Sequence, residues 1–382
     1  MSYVFIPRDA AELALLPEKC EVILSLAELS RRGVIREVRD GVALARSARA
    51  RGLRVLLDWD ALMEEPRFLQ LSARVKELAA EVDVIRVRDA GAARFVRDEL
   101  THPLHLLLEA GHHNLLALES WRQRLGARLE RVVVSPELSR QTLKAWQAQL
   151  QLPLEILALG PLLLFHSPRA LLSVTQDLPA LPEEGLFASG KSLESPHKGF
   201  PLEENRHGTL MYHPKDLALL ERWSELVELP GVVLRFDHTQ TPRASDLLGP
   251  LLAFLAGPAE DTLSALRAAW PREWMRGYWD SNRSDVLFEK LTNQHLVARE
   301  NLVAEVIEGQ KDNWLAVQCR RQKLKVGERY QVITPLGKEK EFVVSWLKDC
   351  AWRDTAELAP GEVGFVPWSG GCVAKTQLLS IP

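Results

Sequence analysis

Residues 1–180 alternate short apolar runs with longer segments in which apolar residues recur every three or four positions. The short runs have the length of buried strands, and the longer segments, such as residues 66–80 and 115–126, have helical periodicity. Repeated βα units predict a parallel sheet, and six or more in a row favour a (β/α) TIM-like barrel over a doubly wound sheet. The pattern leaves open whether the barrel is complete or distorted. The predicted strands are residues 21–26, 53–58, 83–87, 104–109, 131–135 and 154–159.

The barrel pattern is interrupted at residues 174–206, which hold four prolines. Such a composition predicts a long surface excursion, either a lid or a linker. The βα pattern then resumes with predicted strands at 207–212 and 231–236. Helices are predicted at residues 217–229, 244–256 and 262–269.

The C-terminal part of the chain changes period, because short alternating runs replace the helical pattern from residue 302 onward. Many short strands separated by glycine turn signals predict a small all-β barrel. We therefore divide the chain into a barrel-like domain at 1–280, a linker at 281–301 and a small β-barrel domain at 302–382.

Composition excludes several classes of protein. The chain has 382 residues and a formal net charge of −3, so it carries no general signal for nucleic-acid binding. Its four cysteines are far apart and form no Cys-x-x-Cys pair, so neither a zinc ribbon nor a ferredoxin-type site is predicted. Sparse cysteines are typical of a reducing cytoplasm. No apolar run reaches about 18 residues and the N-terminus lacks a signal-peptide pattern, so we expect a cytoplasmic protein without a membrane span.

Residues 154–173 contain two apolar runs separated by Gly160-Pro161. This segment resembles the signature of the collagenase-like peptidase family U-32, in which His-Gly-Ala-Leu-Cys is followed by six residues and then Cys-Leu-Leu-Ser. Leu159 stands at the position of the family's His, and Leu163 and Ala170 stand at the positions of its two Cys residues. The frame is kept without a gap at Gly160, Ser167, Arg169, Leu171, Leu172 and Ser173.

Later segments extend the resemblance. Residues 215–217 keep the family's Lys-Asp-Leu, and residues 234–239 stand in place of its Leu-Lys-Ile-Glu-Gly-Arg. In that second segment Asp237 replaces the Glu and His238 replaces the Gly. Segments 324–328 and 333–337 are similar to the family's C-terminal barrel. The resemblance covers most of residues 100–382 and is nearest to the tRNA-hydroxylation branch.

The resemblance implies a fold and a cofactor, and the cofactor does not fit this chain. The family's hydroxylating members hold an iron–sulfur cluster with four cysteines, and cluster iron needs thiolate ligands. Leu163 and Ala170 remove two of them, and residues 173–206 contain no cysteine to supply the others. We therefore expect no cofactor and no metal site in this chain, unless a partner chain provides a cluster.

Polar residues follow the predicted strands, where a (β/α) barrel places its functional groups. Histidines and carboxylates on one rim would suit general acid–base chemistry or a metal. The alternative is that these residues are solvated loop polars and helix caps. We take as candidate catalytic residues Glu109, His112, His113, His213, Asp237 and His238.

A basic segment in the C-terminal part, residues 314–330, is the best candidate for contact with RNA. It contains Trp314 and Tyr330, whose rings would stack on unpaired bases while cations contact phosphates. A solvated strand-and-turn face is the alternative. The candidate nucleic-acid-binding residues are Arg320, Arg321, Lys323 and Lys325. A second aromatic cluster, made of Trp270, Trp274, Tyr278 and Trp279, is predicted to pack between the barrel and the C-terminal domain.

Three functions remain open from the sequence. The first is a cluster-free family member that acts in RNA (tRNA) modification as a binding or partner subunit, with RNA or a protein of the same family as its partner. The second is a hydrolase, a collagenase-like protease that uses the His and carboxylate rim. The third is a non-catalytic scaffold.

Overall fold

A computed structural model describes residues 2–110, 112–176, 178, 181–182, 184–191, 198–239, 244–280, 300–335 and 337–381. The chain divides into two compact units, Met1–Arg283 and Ser284–Pro382. Most of the predicted linker, residues 281–299, lies outside the described residues.

The first unit contains both parallel and antiparallel strands. Its strands are β1 (Ser2–Phe5), β2 (Cys20–Leu24), β3 (Arg54–Trp59), β4 (Val84–Val87), β5 (Leu104–Leu108), β6 (Leu129–Val134), β7 (Leu154–Gly160), β8 (Leu163–Ser167), β9 (Leu186–Lys191), β10 (Lys198–Asn205), β11 (Gly208–Tyr212), β12 (Asp216–Ala218), β13 (Val232–Phe236) and β14 (Trp274–Met275). Its helices are α1 (Ala10–Leu15), α2 (Val38–Ala50), α3 (Glu65–Leu78), α4 (Ala90–Glu99), α5 (Leu115–Leu125), α6 (Arg140–Leu150), α7 (Leu172–Thr175), α8 (Trp223–Val227), α9 (Ala244–Ala256) and α10 (Glu260–Ala269).

Eight parallel strands close into a barrel. Strands β1 to β7 pair in chain order, and β13 pairs in parallel with both β1 and β7. The predicted (β/α) TIM-like barrel is therefore confirmed and complete within the described residues. Strand β1 was not predicted, because four residues at the chain start are too short to show a period.

Two elements after the signature segment differ from the prediction. Residues 217–229 were predicted to be one helix, but this is wrong: β12 occupies the start, and the helical part is a 3-10 turn at Leu220–Arg222 followed by the short helix α8. Leu217 and Ala218 are buried where β12 pairs antiparallel with the end of β7, and this tertiary pairing overrides the local periodicity. The predicted strand at 207–212 forms as β11, but outside the barrel.

The excursion predicted at 174–206 is structured in its described part. Strands β9 and β10 join β8 and β11 in a four-stranded antiparallel sheet of order β8-β11-β10-β9, which we call the cap sheet. His207 Nε2 lies 2.7 Å from the carbonyl oxygen of Ala27, and Asn205 Nδ2 donates to that of Arg31 at 2.8 Å. The cap sheet is thus held against the loop that joins β2 to α2.

The core of the first unit lies mainly between the barrel strands and the helices. Ile85 and Val87 of β4 belong to this core, whereas Val84 belongs to a small separate cluster with Val4, Ile23 and Leu56. Alternation along the strands then places Arg86 on the inner face with Val84. Trp270 and Trp279 of the predicted tryptophan cluster are part of the core of the first unit, and Trp274 packs against that core.

The second unit is all-β in the residues that the structure describes, as predicted. Its strands are β15 (Leu302–Gln310), β16 (Trp314–Cys319), β17 (Leu324–Lys325), β18 (Arg329–Ile333), β19 (Glu339–Val343), β20 (Lys348–Asp349), β21 (Glu357–Leu358), β22 (Val363–Pro367) and β23 (Gln377–Ser380). Seven of them form an antiparallel sheet of order β19-β18-β23-β15-β16-β22-β20, and β17 pairs with β21. No helix in the described part of the chain is both long and apolar enough to cross a membrane.

Gly160 ends β7 with a φ of +148°, a conformation that side chains disfavour. A Cβ atom at this position would lie 2.5 Å from the carbonyl oxygen of Asp237. We therefore expect Gly160→Ala to destabilise the first unit by about 1–3 kcal/mol, measured by urea unfolding. Gly52→Ala is the control, since φ there is +74° but nothing lies within 4 Å of the added atom. Equal losses in the two variants would contradict a steric role for Gly160.

Candidate functional site

The carboxyl ends of the barrel strands bring charged residues together at one mouth. Arg32, in the loop after β2, lies between Glu109 at the end of β5 and Asp237 at the end of β13. Its guanidinium nitrogens are 3.9 Å from a Glu109 oxygen and 3.5 Å from an Asp237 oxygen. Two of the six candidate catalytic residues are thus brought together, although they are far apart in the chain.

Glu109 is ionised in this environment. Burial alone would raise the pKa of its carboxyl, but the Arg235 and Arg32 guanidinium groups outweigh burial and lower the pKa to about 2. Arg235 also forms a direct ion pair with Glu109. A carboxylate held in this state is a poor general base near neutral pH.

A second ion pair lies on the same rim. Arg31 donates from its Nε and Nη2 nitrogens to one oxygen of Asp60, at 3.1 and 2.8 Å. Burial would raise the pKa of Asp60, but Arg31 and Arg32 lower it well below its ordinary value. Glu109 and Asp60 are therefore both charged and paired.

Arg88, just after β4, differs from its neighbours. It forms no ion pair within the part of the chain that the structure describes, and burial together with the charge of Arg31 lowers its pKa. It borders a cavity of about 240 Å³ in the mouth. Other residues that line this cavity are Arg31, Arg32, Glu109, Leu163, Phe165 and His166. The mouth is therefore rich in guanidinium groups.

Beneath the mouth, the barrel interior holds a buried charge network that sequence reasoning missed. Arg86 donates two hydrogen bonds to Glu155, at 2.8 and 2.9 Å, and one to Asp58 at 2.6 Å. Arg131 and Arg235 approach the same Glu155 carboxylate at 3.3 and 3.7 Å. The sequence did contain a signal for this network. Several predicted strands carry a charged residue at a position that faces the barrel interior, where barrels ordinarily place branched apolar residues.

Asp58 is the one network carboxyl with a raised pKa. Burial raises the pKa to about 6, the Arg86 guanidinium opposes the shift, and the negative charge of Asp60 adds to it. A carboxyl with this pKa could exchange protons near neutral pH. Its side chain is only 13% exposed and already bonded to Arg86, so it presents little of itself to a ligand.

The predicted histidines do not converge. His238 is buried and its Nε2 lies 3.3 Å from Glu12 of α1. His213 forms hydrogen bonds with the backbone of Lys215. His112 contacts the carbonyl oxygen of Ala110 through Nδ1 at 3.1 Å.

His113 has neighbours that resemble part of a hydrolytic triad. Its Nε2 lies 2.9 Å from Ser135 Oγ and 3.6 Å from a Glu137 oxygen. A triad requires the acid at one ring nitrogen and the nucleophile at the other. Both partners share Nε2 here, so the geometry lacks the orientation that activates a serine.

No metal-binding group is found in the described residues, where no three His, Cys, Asp or Glu side chains gather suitably. Leu163, at a position where the resembled family has cysteine, borders the mouth cavity. In the first unit the only cysteine is Cys20, which is buried in the core. The residues present do not fit an iron–sulfur cluster, because aliphatic side chains cannot ligate iron.

The four predicted RNA-contacting cations lie in the second unit. Arg320, Lys323 and Lys325 pair with Glu305, Glu357 and Glu328, at 3.3, 2.5 and 3.6 Å. Arg321 is exposed and forms no ion pair among the described residues. Tyr330 is buried, so its ring is not available to stack on a base. Contact with RNA through these cations stays a prediction.

Comparison with known proteins gives a family and distant structural likenesses. The sequence profile described as peptidase family U32 matches residues 24–237, more than half of the chain. No curated protein matches the chain. The solved U32 peptidase Mk0906 is 15% identical, with 62% of this chain and 92% of that one covered and a TM-score of 0.39.

Two further solved structures are similar to parts of this chain. The C-terminal domain of a Geobacillus thermoleovorans putative U32 peptidase is 11% identical, with 21% of this chain and 98% of that one covered and a TM-score of 0.20. Tryptophan synthase from M. tuberculosis is 11% identical, with 70% and 90% covered and a TM-score of 0.36. These likenesses are too remote to inform the chemistry. The match of the family profile decides the question of membership: the chain belongs to peptidase family U32.

Proposed function

We propose that this protein is a cluster-free member of peptidase family U32 that binds RNA, and that it acts in tRNA modification as a binding or partner subunit. The observation that carries the proposal is the arginine-lined mouth. Arg88 has no carboxylate partner among the described residues and borders the mouth cavity beside Arg31 and Arg32. Guanidinium groups match phosphate oxygens in charge and geometry, so the mouth suits a phosphate of an RNA strand.

The state of the carboxylates supports binding rather than turnover. Glu109 has a pKa of about 2 and Asp60 is paired with Arg31, so neither is suited to take a proton. The hydrolase alternative has weaker support, since His113 meets Ser135 and Glu137 through one ring nitrogen.

A partner protein is part of the proposal. Leu163 and Ala170 cannot ligate iron, so a chain of the same family would supply any cluster that the reaction needs. A cytoplasmic location also belongs to the proposal, and the four free cysteines are consistent with it.

The test is mass spectrometry of tRNA from a strain that lacks the gene. We expect hydroxylation of the wobble uridine to be lost on deletion and restored by the wild-type gene. The Arg88→Ala gene should restore it poorly, because the phosphate loses its unpaired guanidinium. Arg94→Ala is the matched control, since Arg94 is 79% exposed on α4 and does not line the mouth cavity.

Unchanged tRNA in the deletion strain would contradict the proposed function. Iron analysis of the purified protein separates a partner subunit from a complete enzyme. We expect a colourless protein without iron, and a brown, iron-containing preparation would contradict the cluster-free assignment.

A further inference from the structure

A second, larger cavity lies between the cap sheet and the loop that joins β2 to α2. Its volume is about 800 Å³, within the range of roughly 300–1,000 Å³ that small-ligand pockets occupy. We call it the cap cleft, and all its lining belongs to the first unit. Residues that line it include Ser30, Gly33, Val34, Arg36, Phe187, Glu203, Asn205, Arg206 and His207.

Phe187 gives the cap cleft an exposed aromatic surface. It lies on β9 directly opposite Glu203 of β10, so both side chains are on one face of the cap sheet. The Phe187 side chain remains 70% exposed although it borders the cavity. An exposed ring of this kind is a stacking platform for a planar ligand.

The cap cleft is lined by charges of both signs, because Glu184 and Glu203 border it as well as Arg36 and Arg206. Arg36 and Arg206 are exposed, and neither forms an ion pair within the residues that the structure describes. Arg206 lies close enough to Arg67 that burial and the charge of Arg206 together lower the pKa of Arg67. Exposed cations that form no ion pair with a carboxylate favour an anionic ligand.

The wall of the cap cleft that contains Glu203 and Asn205 is fixed by hydrogen bonds. Glu203 accepts from Asn205 Nδ2 at 2.9 Å and from the Tyr212 hydroxyl at 3.3 Å. The Asn205 oxygen accepts from the backbone N–H of His207 at 2.9 Å. A wall held in this way needs little ordering when a ligand binds.

We propose that the cap cleft binds one nucleotide unit, with its base stacked on Phe187 and its phosphate on Arg36 and Arg206. An aromatic ring recognises the base of a nucleotide and the two arginines recognise its phosphate, whereas an acidic peptide would leave the ring unused. The nucleotide belongs to single-stranded RNA or is a free nucleoside phosphate. The first source rests on the function proposed above, and the second does not.

The test measures binding to the full-length protein. Fluorescence anisotropy uses a labelled single-stranded hexauridylate, and calorimetry uses uridine and adenosine monophosphates. We expect Phe187→Ala to weaken binding about tenfold, the size of the loss of one stacked base. Arg206→Ala should reduce the slope of log affinity against log salt by about one, because one phosphate contact is lost. Controls are Leu116→Ala, exposed on α5, and Arg94→Ala, exposed on α4.

The outcomes separate this inference from the proposed function. Binding of hexauridylate with unchanged affinity in Phe187→Ala and Arg206→Ala overturns the cap cleft while RNA binding stands. If the protein binds the monophosphates but not hexauridylate, and Phe187→Ala weakens that binding, the cap cleft is supported as a site for a free nucleotide. If tRNA is also unchanged in the deletion strain, the proposed RNA function is overturned while the cap cleft stands. No binding of either probe by the wild-type protein overturns the cap cleft.

Discussion

Replacing Arg86 by methionine is expected to lower the free energy of unfolding by about 3–5 kcal/mol, the cost of leaving buried charges unpaired. Arg86 is fully buried and donates to both Glu155 and Asp58. Methionine fills much of the same volume but leaves these carboxylates without their main donor, and Arg131 and Arg235 can compensate only in part. Urea unfolding at pH 7, followed by circular dichroism, gives the measurement.

The control is an arginine that pairs with glutamate at the surface. Arg46 donates to Glu81 and is 68% exposed, so Arg46→Met should leave the unfolding midpoint almost unchanged. If Arg86→Met were as stable as Arg46→Met, the charge network would not stabilise the barrel. The double variant Arg86→Met/Glu155→Leu tests the pairing directly, since it should be less destabilised than the sum of the two single changes.

The second large effect is a loss of stability in acid. The folded protein lowers the pKa of Glu109 and of Glu12 from 4.5 to about 2, and lowers that of Glu155 further. In each case burial opposes the shift, and neighbouring cations or hydrogen bonds outweigh it. A carboxyl whose pKa is depressed by folding stabilises the protein above the unfolded pKa. That stability is lost as pH falls through the folded pKa.

The stability that Glu109 contributes is therefore lost between pH 4.5 and about pH 2. A pKa shift of this size corresponds to about 3 kcal/mol in the free energy of unfolding. Asp58 acts in the opposite sense, because its folded pKa of about 6 exceeds its ordinary 3.8. Its contribution is fully present below pH 3.8 and disappears as pH rises through 6. We expect the urea midpoint to fall steeply below pH 4.5, and to decline modestly as pH rises from 5 to 7 because Asp58 ionises through its folded pKa of about 6.

The variant that checks this assignment is Glu109→Gln. It should be less stable than the wild type at pH 7, and its midpoint should fall less between pH 5 and 2.5 because one titrating group is removed. A parallel loss in variant and wild type over this range would exclude Glu109 as a source of the acid sensitivity.

The resemblance to the U32 signature rests on residues that keep the family's spacing, and the structure gives a physical reason for one of them, Gly160. Gly160 is where β7 passes the backbone of Asp237, and a side chain there would collide with it. Leu159, Leu163 and Ala170 stand at the family's histidine and cysteine positions, and the barrel forms with these residues in place. The frame therefore predicts architecture, whereas the chemistry depends on residues that this chain has changed.

The sequence by itself determined the barrel, because apolar runs and helical periods repeat locally and each unit is readable within about thirty residues. It also placed Glu109 and Asp237 at strand ends, since parallel strands all present their carboxyl ends to one mouth. It did not predict that Arg32 would lie between them.

Only the tertiary structure decided which charges pair. Arg86 and Glu155 are 69 positions apart in the chain and meet only because barrel closure turns both inward. The same holds for His238, which sequence reasoning placed on the rim but which is buried next to Glu12. Local periodicity records which residues are buried, whereas the partners of a buried charge depend on strand register and barrel closure, which no local pattern contains.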